Sequence, residues 1–259
     1  MIARPDRTTH REPLNLSNEI LVAPLGRGIQ ITLNDPKGVS DAAALELTNL
    51  LMSAHERGAY VVLRSSSDDF CTGRNNPRPP AGAAQPDALD RRRSSEVVFN
   101  CYQSFRTCTV PIVGVVTGKA VGFGCSLATS CDITLAAEGA TFQVNEMNHR
   151  ILPTMVMSSM VDRLPRKAVA YLVLSRAIIT AERAREMSIV SEVVPAAQLD
   201  ARVAELAALF DQTPSAAMAG TKEYLGAAYD MPIKGAIDFA RNLHATINAA
   251  PEMRADPVV

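Results

Sequence analysis

The chain has 259 residues, with 26 lysines and arginines against 27 aspartates and glutamates, and its net charge is −1. This balance argues against a general nucleic-acid binder, and no apolar run approaches the roughly 20 residues that a membrane-spanning helix needs. A chain of this length can bury the core of one large domain or of two smaller ones.

Residues 1–18 are predicted to form a flexible N-terminal tail, because they carry charges and prolines and lack the apolar core of a secretory signal. The five cysteines include no C-x-x-C pair and no histidine partner at metal-binding spacing. We therefore expect reduced thiols, no metal site and a cytoplasmic protein that does not associate with membranes or nucleic acid.

The first elements predict a hairpin followed by a parallel crossover. Two short β-type runs, residues 20–24 and 28–33, flank the turn sequence L-G-R-G. A helix is predicted over residues 42–57 and a buried strand over residues 60–65. A strand, a helix and another strand in this order favour a parallel sheet with a right-handed crossover, and thus an α/β fold.

The third strand runs into a glycine turn and a biased loop. Residues 66–75 read S-S-D-D-F-C-T-G-R-N, with Gly73 at the turn. Residues 75–90 hold four prolines and no periodic pattern, which predicts a flexible loop. A helix over residues 89–107 follows, with apolar side chains at helical spacing, namely Val97, Val98, Cys101, Tyr102 and Phe105.

The most informative stretch is residues 110–142. An apolar run at 110–116 predicts a buried strand, a helix is predicted from Cys125 to Ser130, and residues 133–136 predict the next strand. Between the first strand and the helix lie three glycines, Gly118, Gly122 and Gly124. A strand, a glycine turn and a helix start leave backbone N–H groups that suit a developing oxyanion, although a tight turn without chemistry gives the same pattern.

The remainder of the chain is mostly helical. Helices are predicted over residues 165–174, 181–188, 199–212, 214–229 and 233–248, with a short strand over 189–194. We therefore expect an α/β core over residues 19–195 and a helical C-terminal region over residues 196–259.

Three motifs in this order resemble the crotonase superfamily, also called the enoyl-CoA hydratase/isomerase family. They are F-x-x-G-x-N at 70–75, P-x-V-x-x-V-x-G-x-x-x-G-x-G at 111–124 and F-x-x-x-E at 142–146. The resemblance covers roughly residues 19–248. It implies a spiral of ββα units with a helical C-terminal trimerisation region, a homotrimer or dimer of trimers, and an acyl-CoA thioester substrate without a further cofactor.

The resemblance also implies the site residues. The backbone N–H groups of Arg74, after Gly73, and of Phe123, after Gly122, would stabilise the negative charge that gathers on the thioester oxygen. Glu146 would act as the acid/base group at the carbon next to the thioester, with a pKa raised by an apolar pocket.

Two positions depart from the family pattern. Two-glutamate hydratases carry a second glutamate where this chain has Ser126, and the family more often has glycine where this chain has Thr154, near the reacting carbons. A single carboxylate can still move a double bond from a 3-enoyl to a 2-enoyl group, so isomerisation is slightly favoured. The alternatives are hydration, with Ser126 holding a water, and an acyl-CoA-binding protein without efficient turnover.

Three further groups carry weaker predictions. Lys37 matches a position where the family contacts the nucleotide end of coenzyme A, although a solvated lysine fits nearly as well. The basic cluster Arg91 to Arg93 is either a solvated face or attracts the coenzyme A phosphates. His149 is interpreted as a histidine that is exposed or has its hydrogen bonds made within the protein. A nucleotide-binding α/β protein is disfavoured, because G-x-G-x-x-G after the first strand and the P-loop lysine pattern are both absent.

Overall fold

A computed structural model of the chain describes residues 18–35, 38–75, 82 and 84–254. The strands in this part of the chain are β1 (Ile20–Leu25), β2 (Gly28–Leu33), β3 (Val61–Ser65), β4 (Ile112–Val116), β5 (Lys119–Val121), β6 (Ile133–Ala137), β7 (Thr141–Gln143), β8 (Ile179–Thr180) and β9 (Glu192–Val194). The α-helices are α1 (Asp41–Met52), α2 (Ala88–Thr107), α3 (Phe123–Ser130), α4 (Thr154–Met160), α5 (Arg166–Ser175), α6 (Ala181–Glu186), α7 (Leu199–Gln212), α8 (Ser215–Ala228) and α9 (Ile233–Asn248).

The larger sheet has the strand order β1-β2-β3-β4-β6-β9. Strands β1 and β2 form the predicted antiparallel hairpin, and every later pairing in this sheet is parallel. Strand β4 is buried along its whole length, which explains why it reads as a continuous apolar run rather than an alternating one.

A smaller sheet has the strand order β5-β7-β8, and it holds three of the shortest strands in the described residues. Strand β4 of the larger sheet is followed by β5 of the smaller sheet and then by α3. In the same way, β6 of the larger sheet is followed by β7 of the smaller sheet. After β3, Cys71 forms an isolated parallel bridge with Ala120 of β5. The segment after β3 therefore adds a short extended stretch beside the smaller sheet before α2 begins. These repeats form the ββα spiral that the sequence predicts.

The two faces of the larger sheet are covered by different helices. Helices α1, α2 and α3 contribute to the main apolar core, which also takes in Leu63 and Phe142. Helix α7 covers the other face, where Leu199 and Val203 join Val62 in a second apolar cluster. The larger sheet is therefore a layer between helices α1, α2 and α3 on one face and α7 on the other.

The last two helices pack chiefly on each other. The rings of Tyr224 on α8 and Phe239 on α9 stack with centroids 5.8 Å apart. The Lys222 ammonium on α8 lies 2.7 Å from Asp132 Oδ2, which connects this pair of helices to the start of β6. The chain thus passes from a mixed α/β part to a helical part, as predicted.

Several boundaries differ from the predicted ones. The first helix ends at Met52, and a separate 3₁₀ turn over Ala54–Glu56 follows, because Ser53 leaves the helical conformation with a φ of −105° and a ψ of 13°. The helix predicted from Cys125 begins at Phe123, and the last predicted strand is shortened to β9.

Some predictions fall on residues that the structure does not describe. The predicted tail lies outside the described residues except for Asn18, and the proline-rich loop lies outside them at residues 76–81 and 83. In the described part of the chain, no helix is both long and apolar enough to cross a bilayer. The same residues contain no group of three or more histidine, cysteine, aspartate or glutamate side chains that could hold a metal ion.

Candidate active site

A cavity of about 730 Å³ opens where the turn after β3, the start of α3 and the turn after β7 meet α2 and α4. Its lining residues are Thr72, Gly73, Arg74, Val98, Tyr102, Gly122, Phe123, Asn145, Glu146, Asn148, His149, Arg150, Ile151, Leu152, Pro153, Met155 and Val156. The cavity therefore joins the ends of two glycine turns to an acidic residue and to an apolar wall.

The first turn presents the backbone of Arg74 to this cavity. The Val39 N–H donates to the Gly73 carbonyl at 3.0 Å, and the Asn75 N–H donates to the Val39 carbonyl at 2.9 Å. Because both residues that flank Arg74 bond to Val39, the N–H of Arg74 itself points to the opposite side of the strand. The Cys71 thiol donates to the Gly73 carbonyl at 3.4 Å and supports the turn from within.

The second turn presents the backbone of Phe123. Gly122 has a φ of 54°, in the left-handed region that favours glycine, and it caps the N-terminus of α3. The Ser126 N–H donates to the Gly122 carbonyl at 3.0 Å, so the intrahelical bonds begin there. The N–H of Phe123 precedes that first bond and belongs to the first turn, whose donors have no intrahelical acceptor.

The two turns are held against each other by backbone contacts. The Val121 N–H donates to the Cys71 carbonyl at 2.9 Å, and Ala120 and Cys71 form a parallel bridge. A β-carbon placed on Gly124 would lie 2.1 Å from that Cys71 carbonyl oxygen, which no side chain could avoid. Glycine at this position lets α3 start directly beside the first turn, and Arg74 and Phe123 line the same cavity.

Glu146 lies on the 3₁₀ turn Glu146–His149, which follows β7. Its Oε2 atom is buried and has no hydrogen-bond partner among the described residues. Burial raises the pKa of the Glu146 carboxyl above its usual range, while backbone hydrogen bonds and the charge of the nearby His149 act in the opposite direction. The carboxyl group is thus partly desolvated, as an acid/base group in an apolar cavity is expected to be.

Two hydroxyl-bearing residues, Tyr102 and Ser126, lie at or near this cavity. Ser126 is 0 % exposed, and its Oγ makes no hydrogen bond of good geometry within the described residues. The hydroxyl of Tyr102 on α2 lies close to it, and the ring of Tyr102 lies 5.5 Å from that of Phe123. Tyr102 lines the cavity, whereas Ser126 is not among its lining residues.

The structure brings most of the predicted site residues together. Arg74, Phe123, Gly73, Gly122 and Glu146 all line the one cavity. The sequence pattern identified Tyr102 only as an apolar helix position, since an aromatic residue at helical spacing is typical of a core. The place of Tyr102 at the cavity follows from the packing of α2 against α3. Only the topology of the folded chain shows that packing.

Besides Ser126, two predicted residues are not placed at the cavity. Thr154 is exposed and is not among the described lining residues, because it begins α4 and the following residues Met155 and Val156 face inward. Successive side chains on a helix point about 100° apart, so all three cannot share the cavity side. Lys37 lies outside the described residues.

Comparison with known proteins gives one family. The family model described as "Enoyl-CoA hydratase/isomerase" matches residues 27–256. The chain is 32% identical over 219 residues to a Mycobacterium bovis protein named "Probable enoyl-CoA hydratase echA8", covering 82% of this chain and 83% of that protein. It is 25% identical over 246 residues to the 2,3-dehydroadipyl-CoA hydratase of Escherichia coli K12, covering 93% of this chain and 94% of that protein.

A solved structure gives the same fold. The enoyl-CoA hydratase of Mycobacterium smegmatis superposes with a TM-score of 0.83 at 22% identity, over 91% of this chain and 93% of that one. At this identity the likeness supports the fold alone, and it confirms the crotonase-type architecture that the sequence predicts.

Proposed function

The chain belongs to the enoyl-CoA hydratase/isomerase family, and we propose that it transfers a proton at C2 of an acyl-CoA thioester, shifting a double bond from a 3-enoyl to a 2-enoyl group. The observation that carries the proposal is the half-buried Glu146 carboxylate, whose Oε2 atom is buried without a hydrogen-bond partner among the described residues and whose Oε1 atom lies against Gly122. Glu146 is the single carboxylate among the described residues that line the cavity.

We assign the thioester oxygen to the backbone N–H groups of Arg74 and Phe123. When a proton leaves C2, negative charge collects on that oxygen, and two fixed donors stabilise the charge more than they stabilise the neutral carbonyl. Loss of one such donor typically costs roughly 3 kcal/mol in the transition state. Since both donors are backbone groups, the arginine and phenylalanine side chains at these positions do not prevent the role.

We assign the proton transfer to Glu146. The carboxylate takes the C2 proton and becomes a carboxylic acid, while the electrons of the C–H bond form a dienolate with the 3-enoyl double bond. Glu146 then returns the proton at C4, which leaves the double bond between C2 and C3. A pKa raised by burial suits both steps, because it makes the carboxylate a stronger base than an exposed glutamate.

Hydration is the second candidate, and two observations favour it. The relatives in Mycobacterium bovis and Escherichia coli carry hydratase names, and a buried hydroxyl pair, Tyr102 and Ser126, stands beside the cavity. In this reaction water would form a bond to C3, its proton would pass to the Glu146 carboxylate, and the enolate would take a proton from Glu146 at C2. Isomerisation remains first because it requires one carboxylate and no held water.

The proposal includes an oligomer and no cofactor beyond the coenzyme A of the substrate. Several apolar side chains of the C-terminal part are exposed in the single chain: Leu225, Tyr229, Ile233 and Ile237. A homotrimer or dimer of trimers would bury such side chains, and sedimentation velocity on the purified protein measures the assembly directly.

To test the proposal, the protein is incubated in deuterated water with a panel of 2-enoyl-CoA and 3-enoyl-CoA thioesters. The products are separated by chromatography, and their masses are measured by mass spectrometry. We expect wild-type protein to shift the double bond and to incorporate deuterium. The Glu146→Gln variant should bind thioesters but lose both activities, whereas Glu138→Gln, at an exposed glutamate, should match wild type. Unchanged turnover by Glu146→Gln would remove the assigned role, and a gain of one water would identify hydration instead.

A further inference from the structure

The first of the two assigned oxyanion donors belongs to the peptide bond between Gly73 and Arg74. Gly73 has a φ of 126°, which glycine adopts readily and other residues rarely do. A β-carbon built on Gly73 would meet nothing closer than the Val121 carbonyl oxygen, at 3.9 Å. Because Gly73 itself restricts this peptide so little, the orientation of the peptide has to be fixed by contacts with other parts of the chain.

The segment that leads into α1 supplies such contacts to the backbone. The Val39 N–H donates to the Gly73 carbonyl at 3.0 Å, and the Asn75 N–H donates to the Val39 carbonyl at 2.9 Å. The peptide between Gly73 and Arg74 is trans, so its carbonyl and its N–H point in opposite directions. The bond to Val39 therefore turns the Arg74 N–H away from this segment, but it leaves the Arg74 side chain unrestrained.

The Arg74 side chain is held by a residue of the same segment. Its Nη2 atom donates to Oδ1 of Asp41, two residues after Val39, and the two side chains form an ion pair. The Arg74 side chain is 18% exposed and that of Asp41 53%, so the pair is partly shielded from water. Since Arg74 also lines the cavity, a guanidinium released from Asp41 would be a mobile cation beside the assigned place of the thioester.

Asp41 is itself firmly placed. It is the first residue of α1, and the preceding Ser40 caps this helix by accepting the Ala43 N–H at 3.1 Å. The Ser40 hydroxyl in turn donates to Glu19 Oε2 at 2.5 Å. A carboxylate in the first turn of a helix is also stabilised by the helix dipole. Asp41 is therefore a fixed anchor for the Arg74 side chain.

We infer that Asp41 is a positioning residue for the proposed reaction. By holding the Arg74 side chain, it fixes the peptide between Gly73 and Arg74 in the orientation in which the N–H reaches the thioester oxygen. Asp41 is not among the described residues that line the cavity, so it acts through Arg74 and not on the substrate. The inference rests on the proposed function. Its effect is largest in the transition state, where the oxygen carries the most charge and a displaced donor costs the most.

The first arm of the test separates kcat from KM, with the thioester of the panel that wild type converts fastest. In Asp41→Asn, which removes the charge and keeps the shape, we expect kcat to fall about tenfold and KM to stay within about twofold. Asp41→Glu keeps a carboxylate and should recover most of the lost kcat. Arg74→Met should lose as much as Asp41→Asn, and the double variant no more than either, because the two side chains act as one unit.

The matched control is Asp200→Asn. Asp200 lies in the first turn of α7 and forms an ion pair with the partly buried Arg64 at 2.9 Å. Its substitution changes a helix terminus and an ion pair as Asp41→Asn does, but neither Asp200 nor Arg64 lines the cavity. We expect wild-type kcat and KM in this control. Urea denaturation of both variants checks that each is folded under the assay conditions.

The second arm observes the donor directly, with butanoyl-CoA that carries an isotopic label at the thioester carbon. Hydrogen bonds to a carbonyl oxygen polarise the C=O bond, so binding to wild type should move the carbonyl band of the infrared difference spectrum to lower frequency. The displacement should be smaller in Asp41→Asn and unchanged in Asp200→Asn. A merely structural role of Asp41 would lower the stability without changing this band.

The outcomes separate the inference from the function on which it rests. A carbonyl band that wild type does not displace would remove the assigned donors, and the proposed function would fail with them. A band that wild type and Asp41→Asn displace equally would overturn the role of Asp41 alone. Wild-type kcat in Asp41→Asn, an equal loss in Asp200→Asn, or losses that multiply in the double variant would overturn it as well.

Discussion

The carboxylate of Glu146 lies directly against Gly122, and a β-carbon built on that glycine would stand 2.7 Å from Glu146 Oε1. The same glycine has a φ of 54° and starts α3, whose first N–H belongs to Phe123. A single residue without a side chain therefore sets both the space for the candidate acid/base group and the direction of one candidate oxyanion donor. A change at Gly122 would therefore affect both the Glu146 carboxylate and the Phe123 N–H.

Gly122→Ala should be far more harmful to activity than to folding. The new methyl group would displace the Glu146 carboxylate and strain the left-handed backbone, so we expect turnover to fall about 100-fold, since a small misplacement of reacting groups can cost that much. The free energy of unfolding should drop by about 1–2 kcal/mol. Exchange of the C2 proton and urea denaturation measure the two effects separately.

Gly139→Ala is the control for this variant. A β-carbon at Gly139 would meet nothing within 4 Å, and this glycine lies in the turn between β6 and β7, away from the cavity. We expect wild-type turnover and stability. Wild-type turnover in Gly122→Ala as well would show that the Glu146 carboxylate is not constrained by this contact.

Glu146→Gln should make the protein more stable at neutral pH. The raised pKa of Glu146 means that the folded state binds a proton more readily than the unfolded state, so stability falls as pH rises through the raised pKa. Glutamine is neutral at every pH and avoids this cost. Urea denaturation should show a higher free energy of unfolding for the variant than for wild type at neutral pH. The difference should be smaller below the ordinary glutamate pKa, where Glu146 is protonated in both the folded and the unfolded wild-type protein. A constant difference across pH would contradict the desolvation of Glu146.

The sequence predicted the larger elements and the positions of the two glycine turns well. Strand β4 and the helix after it were recognisable because a buried parallel strand is continuously apolar and a glycine turn interrupts it. The C-terminal helices α7 and α9 have their predicted limits, since their apolar spacing extends over several turns. Periodicity is most informative over such lengths.

The smaller sheet and the apolar wall escaped prediction for a physical reason. Strands β5 and β7 have three residues each, too few for an alternating pattern to be distinguished from a loop. The cavity role of Tyr102 depends on how α2 packs against α3, and the exposure of Thr154 depends on where α4 starts. These relationships are set by tertiary contacts, which spacing along the chain does not contain.

The native protein should resist thiol reagents. All five cysteines are buried and free, and they are Cys71, Cys101, Cys108, Cys125 and Cys131. Burial raises the pKa of Cys71 to about 11 and that of Cys125 to about 12, so little reactive thiolate exists at neutral pH. Ellman's reagent should therefore titrate no thiol in the native protein and all five in urea. Rapid stoichiometric reaction of one native thiol would show that its surroundings open.

Lys222→Met should destabilise the protein more than an ordinary surface change. The Lys222 side chain is 8% exposed and its ammonium lies 2.7 Å from Asp132 Oδ2, an oxygen that also accepts the Ile112 N–H at 2.8 Å. Removing the lysine leaves a partly buried carboxylate without its cation, and we expect the free energy of unfolding to fall by about 3 kcal/mol. Urea denaturation monitored by circular dichroism measures the loss.

A second substitution separates the charge from the packing at this pair. In Lys222→Met with Asp132→Asn, the amide oxygen can still accept the Ile112 N–H but carries no charge, so most of the lost stability should return. The control is Arg241→Met, whose partner Asp238 is exposed on α9 and whose loss should change stability by no more than about 0.5 kcal/mol. Equal losses in the Lys222 and Arg241 variants would contradict the stabilising role assigned to Lys222. A large loss at Lys222 that the second substitution reverses would show that the loss comes from the unpaired Asp132 carboxylate, and that α8 stays attached without the ion pair.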